Sequence, residues 1–171
     1  MSARLTTAVR IGDAARAILR KTRTFPDKGY GNHTDLRESN HIGVEPMLLA
    51  LSMELALKAW WVFDHDDANV MISHNLTKLF GALKPESQQV LDAEFKKAVV
   101  PYHSNGFYAD YGIRHILEQH KSAFVDWRYL HEPKPTTMKF ELSAFEATLE
   151  MVLTEFEKRY RIEPVTPLRP S

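Results

Sequence analysis

The stretch Met47-Leu48-Leu49-Ala50-Leu51-Ser52-Met53-Glu54-Leu55-Ala56-Leu57-Lys58-Ala59-Trp60-Trp61-Val62-Phe63 decides the fold. Its 17 residues are apolar on nearly every side of a helix, the pattern of a helix surrounded by others. Val44-Glu45-Pro46 before it is a helix start, because proline in the first turn loses no intrahelical bond. A bilayer span of this marginal length would rarely carry both Glu54 and Lys58, so a buried bundle helix is expected and no membrane partner. The two charges are four residues apart and share one face, where they must be paired or solvated. Two readings stand: a polar cluster inside the bundle, or a site on the central helix.

Outward from this helix the periodicity stays near 3.6. Arg4 to Arg23 sets Leu5, Val9, Gly12, Ala15, Ile18 and Leu19 on one side and basic residues on the other. The segment 24–43, rich in Gly, Pro, Asn and Asp, is a long loop, either a surface excursion or a functional one. Asp64-His65-Asp66-Asp67 is expected to end the central helix in solvent, its spacing matching no metal-ligand motif. Ser73 is the expected cap of a short helix opened by His74 and carrying Leu76, Leu79 and Phe80. Pro85 opens a helix to Val100 with Val90, Leu91 and Phe95 inward, and 101–111 reads as an aromatic loop. Ile113 to His131 reads as one long helix stopped by Pro133 and Pro135. A last helix, Phe140 to Tyr160, points Leu142, Phe145, Leu149, Val152, Leu153 and Phe156 inward.

No stretch alternates with period two, so the fold class is all-α, an up-and-down helical bundle around a buried central helix. Residues 1–162 form the bundle domain and 163–171 a disordered, Pro-rich tail. The 171-residue chain has no cysteine, which excludes disulfides, thiolate nucleophiles and Cys-based zinc sites. Its 22 basic and 22 acidic residues cancel, so the net field steers it toward neither nucleic acid nor anionic lipid. Met1 to Arg10 lacks the apolar core of a signal peptide, and a cytoplasmic location is expected. P-loop, dinucleotide-binding and zinc-protease motifs are absent, so no cofactor and no metal are expected.

The candidate chemistry lies in Ile113 to His131. His120 and His131 fall in the middle of its apolar stripe, and Arg114 and Arg128 border it. An inward imidazole needs hydrogen-bond partners or a wet cleft. The competing reading joins Arg114 to His120: a guanidinium to hold phosphate and a histidine to move a proton serve metal-independent RNA cleavage. Glu118, four residues after Arg114, could instead pair with it. His74 suits a cap or polar cluster better than catalysis.

Three stretches, Met53 to Ala59, Ser73 to Phe80 and Ala123 to Glu132, together resemble a HEPN domain over roughly residues 44 to 132. The resemblance implies a helical protein of prokaryotic defence or toxin–antitoxin systems, commonly a homodimer and associated with RNA or a nucleotide. It also implies a possible partner, a nucleotidyltransferase-type antitoxin. Ribonucleases of this superfamily carry Arg, four to six residues, then His, often with a polar residue after the Arg. Arg114 and His120 with His115 between them match that pattern; Arg128 and His131, with two intervening residues, depart from it. The resemblance thus leaves open an inactive binding module, with Glu54, Lys58, His74, His115, Arg128 and His131 as binding or polar-cluster residues. It leaves equally open a ribonuclease using Arg114 and His120. A structural helical protein without a nucleic-acid role is the third reading.

Overall fold

The structure, a computed structural model, describes residues 3–25, 44–67, 69–103, 106–128 and 141–162. Among them every regular element is helical: α1 (Ala3–Thr22), α2 (Val44–His65), α3 (Leu76–Gly81), α4 (Pro85–Ala98), a single 3-10 turn (Val100–Tyr102), α5 (Gly106–Tyr111), α6 (Ile113–Gln119), α7 (Ala123–Arg128) and α8 (Leu142–Ile162). The all-α bundle expected from the periodicity is therefore the observed architecture. The expected tail 163–171 and all but the first two residues of the loop 24–43 lie outside the described residues.

Helix α2 is the axis of the bundle, packed against α1, α3, α7 and α8. By length and composition alone it could cross a bilayer, yet most of its apolar window is covered by the other helices. Leu49, Met53, Ala56, Leu57, Trp60 and Val62 are closed off from solvent. The α1–α2 contact is close because α1 presents Ala8, Gly12 and Ala15 there. Ser52 Oγ can then donate to the Ala15 carbonyl at 2.7 Å. A Cβ on Gly12 would stand 2.8 Å from the Phe156 ring, which is why this helix tolerates a glycine at mid-length. Helix α8 closes the other side: Trp60 Nε1 donates to the Val152 carbonyl at 3.1 Å, and Arg16 of α1 and Arg23 in the turn after it bridge to Glu146, Glu150 and Glu157.

Several expectations are corrected. Ile113 to His131 is two helices: His120 caps α6 with φ −114° and ψ 16°, and a turn leads to α7. The chain bends there because the His120 side chain bonds the backbone of its own last turn and of the α8 start. The aromatic loop 101–111 contains α5, separated from α6 by Gly112 at φ +65°. Asn75, not Ser73, caps α3, its Oδ1 accepting from Lys78 N at 3.0 Å, so His74 precedes the helix. Ser73 Oγ instead accepts the Asn75 N–H. Val90 and Leu142 are on the exposed side of their helices, whose buried faces turn toward Leu91 and Phe95 and toward Phe145 and Leu149.

Asp64, expected in solvent at the end of α2, is buried. Its carboxylate accepts the Lys84 backbone N–H at 2.9 Å and the Ser87 hydroxyl at 2.7 Å. An α4 N-terminus has orphan donors, and Lys84 offers no capping side chain of its own. The last turn of α2 supplies the cap from outside.

Candidate functional site

The two charges of α2 are brought together with a third group. Glu54 is buried, and each of its oxygens has a cationic or polar partner: Lys58 Nζ on Oε1 at 2.6 Å and His74 Nδ1 on Oε2 at 2.9 Å. The segment between α2 and α3 is thereby tied to the central helix through His74, whose ring also lies 5.3 Å from that of Phe124. Lys58 is mostly covered and His74 half exposed, so the cluster is a buried carboxylate with two partners that reach toward solvent. A carboxylate in this setting is stabilised by the hydrogen bonds to both oxygens rather than by hydration. The side chain of Arg128, and His131 altogether, lie outside the described residues.

His120 is 3% exposed, against the ring of Phe145. Its Nδ1 faces the Ile116 carbonyl at 2.8 Å, and its Nε2 accepts the Glu141 backbone N–H at 3.1 Å. An N–H donor on one side and a lone pair on the other define a single neutral tautomer. Burial, opposed by the Ile116 carbonyl and the Glu141 charge, holds its pKa below the ordinary histidine value.

Arg114 faces the other way. Its guanidinium stands 5.1 Å from the centre of the Phe80 ring and donates to the Gln88 side chain. Glu118, considered as its partner, instead accepts from Thr77 and Lys121, and these bonds hold its carboxyl below the usual range. Within one molecule Arg114 and His120 do not converge on a common space.

His115 joins an aromatic group. Its ring lies 5.3 Å from Phe107 and 5.9 Å from Tyr111, at 21° and 27° between planes, with Phe107 and Tyr111 6.2 Å apart at 25°. Phe107 and Tyr111 are 58% and 64% exposed, and nearby Tyr102 is 81% exposed. The residues lie at i, i+4 and i+8, a helical stripe that continues across the Gly112 junction. Beside it opens a groove of about 1200 Å³ whose wall includes Arg23, His103, Asp110, Glu141 and Ser143. Tyr108 is buried, its ring 5.8 Å from that of His115 and edge-on to it at 63°, its hydroxyl donating to the Glu141 carboxylate and lying 3.4 Å from Gln119.

Two of these features escape a reading of the sequence. Nothing in Asp64-His65-Asp66-Asp67 distinguishes the buried carboxylate from its exposed neighbours, since its partners come from α4. The aromatic stripe is visible as i, i+4, i+8 spacing, once 106–119 is read as helix rather than loop. Among the described residues no group of three or more His, Asp or Glu is placed to hold a metal ion. No family model matches the chain, and neither the curated proteins nor the solved structures compared with it give a match.

Proposed function

We propose that this chain is a HEPN-like binding module that associates with RNA or a nucleotide without cleaving it, acting as a homodimer in a defence or toxin–antitoxin type setting. The observation that carries the non-hydrolytic part is the state of His120. A general acid or base must reach the proton it moves, within about 3 Å or through one water. Both ring nitrogens of His120 are instead spent on backbone groups, and burial favours the neutral form. Freeing Nε2 would leave the part-buried Glu141 N–H without that acceptor, a loss toward the lower end of roughly 1–3 kcal/mol. The association part is supported by the exposed, near-parallel rings beside an open groove, since aromatic side chains stack nucleobases whatever their sequence.

The test is RNA cleavage and RNA binding by the purified protein and its His120→Ala variant, in chelator, with circular dichroism on both. The expected result is binding without cleavage by the wild-type protein. Metal-independent cleavage lost only in a folded His120→Ala protein would establish the ribonuclease instead. Neither binding nor cleavage over a broad set of RNAs and nucleotides would leave the purely structural reading.

A further inference from the structure

We infer that the exposed face formed by Phe107, Tyr111 and His115 is the surface on which a nucleobase stacks, a reading that rests on the association with RNA or a nucleotide proposed above. The three rings are mutual neighbours within 5.3–6.2 Å and no two planes differ by more than 27°. Core pairs such as Phe63 and Phe156 at 86° and Phe95 and Tyr108 at 79° meet edge to face, while Trp61 with His65 and His74 with Phe124 are tilted by 36° and 35°. Exposed aromatic rings offer π-faces on which a base can stack. His115 contributes a heteroaromatic ring with hydrogen-bonding nitrogens, and the adjoining groove offers Asp110, His103 and Ser143 to the edge of a base.

A second copy of the chain fits this face less well. Scaling by their exposures, Tyr102, Phe107 and Tyr111 present together about 400 Å². A stable interface needs roughly 800 Å² per partner, so these three rings would have to be joined by as much surface again. The exposed carboxylate of Asp110 also interrupts the stripe. Among the described residues, Arg23 of the groove wall pairs with Glu146 and Glu150, Arg114 is engaged with Phe80 and Gln88, and Lys96 and Lys97 pair with Asp92 and Glu94. The described part of this face therefore offers its rings to a base more than it offers cations to a phosphate, and binding is expected to fall only shallowly with salt.

The experiment measures binding of radiolabelled adenosine and uridine monophosphates by equilibrium dialysis, and of oligo-rA and oligo-rU decamers by filter retention. It uses the full chain, Tyr111→Ala, and Phe107→Leu, which keeps apolar volume but removes the ring. Sedimentation velocity is run on each protein. The expected result is a loss of about 5- to 150-fold per ring removed, at unchanged helicity. Loss on the monophosphates as well as the decamers assigns the face to free nucleotides; loss on the decamers alone assigns it to single-stranded RNA; both support the inference. Wild-type binding that survives both substitutions overturns the stacking face and leaves the association with RNA standing. No binding by the wild-type protein overturns both. A wild-type dimer that either substitution dissociates, with RNA binding intact, gives the face to a second copy and overturns the inference.

Discussion

The Nε2 of His120 accepts the backbone N–H of Glu141 at 3.1 Å, so one imidazole fastens the end of α6 to the start of α8. Because burial lowers its pKa in the folded protein, the unfolded chain takes up a proton first as pH falls below about 6.5. Stability due to this group is complete above that value and declines as pH drops from there toward the folded pKa. Urea unfolding between pH 7.5 and 5 should show this decline. In His120→Gln, which cannot titrate, the decline over this range should be shallower than in the wild type; an unchanged slope would show that the imidazole is not held neutral.

Glu54 and Lys58 should respond unequally to substitution. Lys58→Met leaves a buried carboxylate with only His74, and a stability loss of about 3 kcal/mol or more is expected. Glu54→Gln leaves two partners that can turn toward water, and should cost about 1–2 kcal/mol. The double Glu54→Leu, Lys58→Met protein should recover most of the larger loss, because an apolar pair carries no desolvation cost. Chemical denaturation of the three variants gives the comparison, and equal losses in the two single variants would contradict the burial asymmetry.

Asp64→Ala should remove the cap of α4 and cost about 1–2 kcal/mol, whereas the exposed Asp67→Ala should stay within about 0.5 kcal/mol. Hydrogen exchange would show the first-turn amides of α4 losing protection in Asp64→Ala alone.

Gly112 sits at φ 65° and ψ −156°, a region essentially reserved for glycine. A Cβ there would stand 1.8 Å from Asp92 Oδ1, the atom that accepts the Ile113 N–H at 3.0 Å. Gly112→Ala is expected to cost about 1–3 kcal/mol from the backbone alone, plus the lost cap. In the Asp92→Ala background the same substitution should cost less, since the clash is gone, and a thermal-melt double-mutant cycle reads that difference.

How much of this was legible depends on whether the deciding neighbours are near in sequence. The need of Glu54 for a partner, and Lys58 as one of them, follow from i,i+4 spacing on an apolar helix. His74 as the second partner does not, because it arrives from twenty residues away across the α2–α3 connection. The long helix expected from Ile113 onward breaks at His120 because the polar ring prefers two backbone bonds to the helical register, and one comes from the α8 start. The Arg114 and His120 pair was visible as a spacing; their divergence was not.

The sequence by itself determined the helical class and the buried axis, since apolar periodicity and an almost uniformly apolar helix admit few other ways to remove that surface from water. Tertiary structure alone decided which polar groups are closed and which are open. His120 and Asp64 lie in the core, while Phe107 and Tyr111 face solvent, against the usual preference of Asp and of Phe. The reason is that a buried polar group is tolerated only where a distant backbone or hydroxyl group meets it, and such meetings are set by how helices cross, not by local propensity.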